Sequence, residues 1–294
     1  MKVIIYLMSL KGLVFLKALL KFNNLKIKYI VLDRDIFVDD DSFTNIETLC
    51  SKFSIPFFYK HKAPEILPNS IIIAISWRWI IDSSNSTVIT IHDSILPKYR
   101  GFNPLVSALI NGEKVIGATA IYANSEYDKG DIIKQELRSI TYPITISEAI
   151  QITCELYIKL ANFLANYLSS GSLPPSTPQN EKDATYSLWR NEDDYFINWE
   201  LTSKKIKRFI DAVGSPYKYA SSYIDKKKVK IIEANEYPDK KIENRCSGKV
   251  IFVKDGLPVV VCGKGLIIIN KLEDEYGNSL LPLSKFRTIF KNHI

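Results

Sequence analysis

The stretch "SIIIAISWRWIIDSSNSTVITIHDSILPKYRG", Ser70 to Gly101, holds two short apolar runs rich in β-branched residues, separated by a polar loop. Each run reads as a buried strand. His92, one of only three histidines in the chain, then falls just past the end of the second strand and before a Pro-Lys-Tyr-Arg-Gly turn. Upstream, Val3 to Leu7 reads as a strand, Leu10 to Phe22 as a helix and Ile27 to Leu32 as a strand ending at Asp33. A polar loop with Asp39, Asp40 and Asp41 and a helix around Thr44 to Lys52 follow. Downstream, a helix fits Asn103 to Asn111 with Gly112 as its stop, "GATAIYAN" (Gly117 to Asn124) alternates like a strand, and "SEYDKGDII" forms another loop at a strand end. Thr145 and Glu148 make a capping box that opens a long amphipathic helix, Ile146 to Leu168, which Gly171 ends.

Strands alternating with helices predict parallel β-α-β units and an α/β, Rossmann-like fold with a mostly parallel sheet and helices on both faces. Ligands of such sheets lie beyond the carboxyl ends of the strands, where His92 is expected.

The composition then changes. "SSGSLPPSTPQNEKDAT", Ser169 to Thr185, is rich in Ser and Pro and reads as a linker. Beyond it one helix, about Ser203 to Ala212, precedes five strand-like segments: Tyr219 to Ile224, Val229 to Ala234, Lys249 to Val253, Pro258 to Cys262 and Leu266 to Leu272. Short strands at this spacing suggest a small OB-like β-barrel. The expected division is residues 1–172, a linker at 173–188 and a second domain at 189–294. A length of 294 residues agrees with two hydrophobic cores.

With 46% hydrophobic and 24% charged residues the chain has the balance of a water-soluble globular protein. A net charge of +7 and a pI near 9.0 suit an anionic partner or a solvated Lys-rich surface. Cys50, Cys154, Cys246 and Cys262 show no C-x-x-C pair and no histidines at zinc spacing, so no metal is expected and the thiols suit a reducing cytoplasm. The opening segment is interrupted by Lys11 and Lys17 and lacks a small-residue cleavage site, which argues against a signal peptide. No apolar run reaches the roughly 18 residues that span a bilayer, so membrane insertion is not expected.

Two loops expected at one end of the sheet each carry a titratable group, His92 and Asp128. A carboxylate facing an imidazole fixes its tautomer and stabilises its protonated form, as general acid–base catalysis requires. Spacing alone favours a capping histidine and a turn aspartate.

The three segments "HDSILPKYRG", "NGEKVIGATA" and "YDKGDII", in this order and separation, resemble the signature of folate-dependent formyltransferases, a family that includes methionyl-tRNA formyltransferase and the sugar-nucleotide N-formyltransferases. The resemblance implies transfer of a formyl group from N10-formyltetrahydrofolate to a primary amine. It assigns His92 to the formyl oxygen, a contact whose loss costs about a hundredfold in rate, and Asp128 to the imidazole and the amine proton. Ser94, Tyr99, Arg100, Gly101, Phe102 and Asn103 would shape the mouth for the acceptor. "ISWRWII", Ile75 to Ile81, falls where the family contacts the pterin, which places Trp77, Arg78, Trp79 and Ile80, with Asp128, at the folate; the tryptophans are equally readable as packing residues.

One position departs from the pattern: Thr90 stands where the family has Asn. Thr90 substitutes directly, or Asn103 or Asn124 takes over, or the enzyme is slow or inactive and the protein is a non-catalytic folate or sugar-nucleotide binder. For the acceptor, the tRNA enzymes carry a basic, Gly-rich loop after the second strand, whereas "DRDIFVDDDSFTN" here is acidic. "WRNEDDYFINW", Trp189 to Trp199, also has the flavour of the sugar-nucleotide enzymes. The expected acceptor is therefore a nucleotide-linked amino deoxysugar used in surface polysaccharide synthesis, Phe102 suiting a 6-deoxy sugar; methionyl-tRNA is the alternative and nucleic acid is not the favoured partner. Lys226, Lys227, Lys228 and Lys230 fit a diphosphate, RNA or water alone, and the second domain could support a homodimer.

Overall fold

The computed structural model describes residues 2–36, 38, 41–81, 86–283 and 285–293. Two of the three aspartates expected in the loop after the second strand, Asp39 and Asp40, lie outside the described residues, as do 82–85 of the opening stretch. The chain forms two compact units. One comprises Met1–Leu105, Lys114–Ile140 and Ala149–Leu188, the other Val106–Glu113, Thr141–Glu148 and Trp189–Ile294.

In chain order the elements up to the end of the first unit are β1 (Lys2–Leu7), α1 (Ser9–Leu19), β2 (Lys26–Leu32), α2 (Phe43–Lys52), β3 (Phe57–Tyr59), β4 (Ile71–Ile75), β5 (Thr87–His92), β6 (Arg100–Gly101), α3 (Pro104–Asn111), β7 (Val115–Tyr122), β8 (Ile132–Ser139), α4 (Ile146–Ser169) and β9 (Tyr186–Ser187). Seven strands form a sheet in the order β3-β2-β1-β4-β5-β7-β8. The five from β3 to β5 run parallel, whereas β7 is antiparallel to β5 and β8 to β7. Ile-rich runs fill the central strands because both sheet faces there are covered. β8, "IIKQELRS", is half-polar because it is the outer strand of an antiparallel pair; that polarity hides it among loop residues in the sequence.

Helices α1, α2 and α4 lie on one face. Apolar residues of α1, α2 and α4, such as Phe15, Ile46 and Leu160, form one core with the face bearing Ile5, Ile73, Ile89 and Ile91. The opposite face carries Ile4, Tyr6, Tyr29, Val31, Ile72 and Ala74, and what packs there, Phe58, Ala63, Ile66, Trp77 and Ile81, lies outside the α-helices. Because side chains alternate along a strand, Thr90 and His92 project on this second face, away from Ile89 and Ile91.

The Ser/Pro-rich stretch is not a free tether. Residues 174–187 are laid against the first unit as a strap: Tyr122 donates to Pro174 O (2.6 Å), Thr177 pairs with Ile132 through two 2.8 Å backbone bonds, and β9 pairs with β6.

In the second unit α5 (Ser203–Ala212) is capped by the Thr202 side chain, which accepts from Lys205 N. The strands β10 (Ala220–Ile224), β11 (Lys227–Tyr237), β12 (Val250–Lys254), β13 (Leu257–Val261) and β14 (Leu266–Asp274) form an antiparallel sheet in the order β10-β11-β14-β13-β12. Residues 289–291 bridge its two edges, Lys291 to Tyr223 and Ile289 to Lys249. The capping box closes as expected: Glu148 accepts from Thr145 N (2.8 Å) while Glu148 N donates to Thr145 Oγ1 (3.3 Å). Among the described residues, no helix is long and apolar enough to cross a membrane.

Candidate active site

His92 is the last residue of β5 and is 8% exposed. Its Nε2 lies 2.7 Å from Tyr99 O; a carbonyl only accepts, so this nitrogen carries the proton and donates. Nδ1 lies 3.4 Å from Oδ1 of Asp128, whose Oδ2 accepts from Gly101 N at 2.8 Å. The turn between His92 and Gly101 is thus fastened to the pair on both sides, by the Tyr99 carbonyl and the Gly101 amide.

Asp128 does not reach this place from a strand end beside His92. Because β7 is antiparallel, it leaves the sheet level with Val88, where Ala123 N donates to Val88 O (2.8 Å). That is four residues back from His92, roughly 13 Å at the rise of a strand. Residues 123–131 fold back over the second face to bring the carboxylate to the imidazole. Asp128 turns there in the left-handed region (φ 57°), which Asp tolerates better than most residues. Gly130 passes so close to β7 that a Cβ would stand 1.5 Å from Tyr122 O, which requires glycine.

Behind the pair, on the helix side, Asp93 is ion-paired with Lys11 and accepts from Tyr157 OH (2.6 Å). Burial pushes the Asp93 carboxyl up, but the Lys11 ammonium and the hydrogen bonds from Lys11 and Tyr157 outweigh it and hold the group below its ordinary value. Burial, with the nearby Asp93 charge, drives the Tyr157 phenol well above 10. No sequence pattern marks this triad, since its members lie 82 and 64 positions apart.

The residues expected at the acceptor mouth divide into two sets. Arg100 is fully buried: its guanidinium donates to Gln179 Oε1 (2.8 and 3.1 Å) and to both Glu181 carboxylate oxygens (2.7 and 2.9 Å). Ser94 is 4% exposed and donates to Lys98 O (2.6 Å), closing its own turn. Both therefore shape the loop from beneath rather than facing a ligand. Phe102 is half-exposed, and Tyr99 and Asn103 are partly buried, with left-handed φ values of 60° and 49° that fix the turn between them.

Thr90, on the same face as His92, donates to Ala74 O of β4 at 3.3 Å. The alternative Asn124 accepts from Glu126 N (2.9 Å) within its own turn. Of the folate candidates, Trp77 meets Tyr6 and Trp79 edge-on (centroids 5.1 and 4.9 Å), Lys60 lies over the Trp79 ring, Arg78 is ion-paired with Asp35, and Ile80 is 79% exposed. Both tryptophans thus pack and also present ring surface, Trp79 being the more open. Burial raises the Tyr6 phenol to about 12, so it stays a neutral hydrogen-bonding group at this platform.

Known proteins resemble this chain in sequence and in fold. The model of the formyl transferase family matches residues 74–154, and that of the formyl transferase C-terminal domain matches 190–287. A methionyl-tRNA formyltransferase of Acetivibrio thermocellus is 30% identical over 240 residues, covering 78% of this chain and 74% of that protein. An N-formyltransferase from Helicobacter canadensis, solved in complex with folinic acid and dTDP-3-aminofucose, superposes with a TM-score of 0.68 at 20% identity over 91% of this chain and 98% of that one. The methionyl-tRNA formyltransferase from Clostridium thermocellum gives 0.52 at 22% identity over 81% and 94%. The structural likenesses establish the fold, and the sequence match carries the rest: the chain belongs to the formyl transferase family, enzymes that transfer formyl groups.

Proposed function

We propose that the protein moves the formyl group of N10-formyltetrahydrofolate to the primary amine of a nucleotide-linked amino deoxysugar. The observation that carries the choice of acceptor is the connection between β2 and α2. It is ten residues long, and its described side chains include Asp33, Asp35 and Asp41 against one cation, Arg34. Arg34 is 3.6 Å from Asp41 and lies over the Phe43 ring, and Arg78 is held by Asp35. A loop whose cations are already neutralised by its own carboxylates is a poor partner for a phosphate backbone.

The residues present suit the co-substrate. Tyr6, Trp77 and Trp79 offer an aromatic surface for a flat ring on the second face. When bound, N10-formyltetrahydrofolate supplies the formyl group. His92 offers its Nε2 proton to the formyl oxygen, taking it in place of the Tyr99 carbonyl, and so stabilises the charge that develops there. Asp128 orients the ring and accepts a proton from the acceptor ammonium, leaving the amine that attacks the formyl carbon, and the amine's second proton passes to N10 as the bond from N10 to the formyl group breaks. Phe102 places exposed apolar surface next to Gly101, which suits the methyl of a 6-deoxy sugar.

A second reading, initiator methionyl-tRNA as acceptor, is favoured by the sequence relatives, which are methionyl-tRNA formyltransferases at 26–34% identity. Formyl transfer assayed in parallel on thymidine-, uridine- and guanosine-diphosphate amino sugars and on charged initiator tRNA separates the two. If both the sugars and the tRNA stay unmodified while folate binds, the protein is a non-catalytic binder.

A further inference from the structure

The Asp128 loop has to be drawn back over the sheet face against its own direction of exit, and something must hold it there. The side chain that does so comes from the strap. Gln179 Nε2 donates to Asp128 O and to Gly130 O, each at 2.7 Å, while its Oε1 accepts from Nε and Nη2 of the buried Arg100. All four hydrogen-bonding capacities of the amide are used. The orientation is fixed as well, because a flipped amide would set its oxygen against two carbonyls and its NH2 against a guanidinium.

Arg100 is in turn the residue between the two backbone groups that touch the pair, the Tyr99 carbonyl on His92 and the Gly101 amide on Asp128. One carboxamide therefore links the turn that contacts His92 to the loop that carries Asp128. Glu181, whose carboxyl the Arg100 hydrogen bonds hold below its ordinary value, completes the charge balance of the guanidinium.

We propose that Gln179 is a positioning residue that sets the distance between Asp128 and His92; its catalytic consequence rests on the reading of that pair given above. Gln179→Glu isolates the function. It keeps an acceptor for Arg100 but cannot donate to the Asp128 and Gly130 carbonyls, so a residue that merely anchors the strap would tolerate it.

The first readout needs no substrate. The chain has three histidines, so the ring 15N signals of His92 are readily assigned. Asp128→Asn should move them, and Gln179→Glu should move the same signals in the same direction with the thermal midpoint retained. The second readout is turnover: kcat falls about 10- to 100-fold with KM for N10-formyltetrahydrofolate changed less than about threefold, as expected when an approach geometry loosens. Should Gln179→Glu fail to fold, Gln179→Met serves, since it fills the same space without the amide. The proposal is overturned if Asp128→Asn moves the His92 signals and the Gln179 variant leaves them in place, or if Asp128→Asn does not move them at all. Moved signals with unchanged turnover in Asp128→Asn would uphold the positioning and defeat the catalytic reading instead.

Discussion

His92 and Asp93 are chain neighbours whose side chains engage opposite faces of one sheet: the imidazole meets Tyr99 O and Asp128, and the carboxylate meets Lys11 of α1 and Tyr157 of α4. The end of β5 is thereby fixed from behind by a mostly buried ion pair while its catalytic candidate projects from the other face.

Asp93→Asn should take the charged partner from the Lys11 ammonium and cost about 3 kcal/mol, the range for breaking a buried pair. The sign of the pH dependence follows from the depressed carboxyl. Asp93 contributes its full stability above the unfolded value of about 4 and loses it as pH falls through the lower folded value. The thermal midpoint of Asp93→Asn should therefore lie below the parent's at pH 7, and the gap should narrow in acid. A midpoint equal to the parent's at pH 7 would refute the assignment.

His92→Asn and Asp128→Asn should each lower kcat by about 100-fold or more, since one removes the donor to the developing charge and the other its orienting carboxylate. Steady-state formyl transfer measures both, and a loss of less than about tenfold in either contradicts its role.

Thr90→Val should leave kcat within about threefold, because the hydroxyl is spent on Ala74 O and the loss is that of one hydrogen bond within the sheet, about 1 kcal/mol of stability. A collapse of turnover with stability intact would show that the hydroxyl serves the formyl oxygen directly.

Gly130→Ala places a methyl against the Tyr122 carbonyl, so the loop must lift from β7 and carry Asp128 away from His92. Turnover should fall about 100-fold, as a displacement near 1 Å can cost. Parent-like turnover would mean that Asp128 is not held by this passage.

Much of the frame was legible because hydrophobic periodicity records burial. The strands at Val3, Ile27, Ile71 and Thr87, the capping box at Thr145 and Glu148, and the helix Ser203–Ala212 all follow from local pattern. What escaped depends on partners far along the chain. β8 looks like a loop because one of its neighbours is solvent, and the strap looks like a linker because its bonds are made by Gln179, Thr177 and Thr185 to residues about 45 to 90 positions away, a separation that no local pattern encodes. His92 and Asp128 stand out through family motifs rather than topology: the expectation that their loops share one sheet end is overturned by the antiparallel β7. Arg100, a plausible ligand contact by residue type, is buried by Glu181, which lies 81 positions downstream.

Formyl transfer itself is the most direct test of the proposed acceptor. The purified protein, with N10-formyltetrahydrofolate, is offered the panel of nucleoside-diphosphate amino sugars and charged initiator tRNA, and each acceptor is weighed by mass spectrometry. A 6-deoxy amino sugar nucleotide is expected to gain one formyl group, the tRNA to gain none, and Asp128→Asn to abolish the product. Formylation of the tRNA with every sugar left unmodified would contradict that expectation.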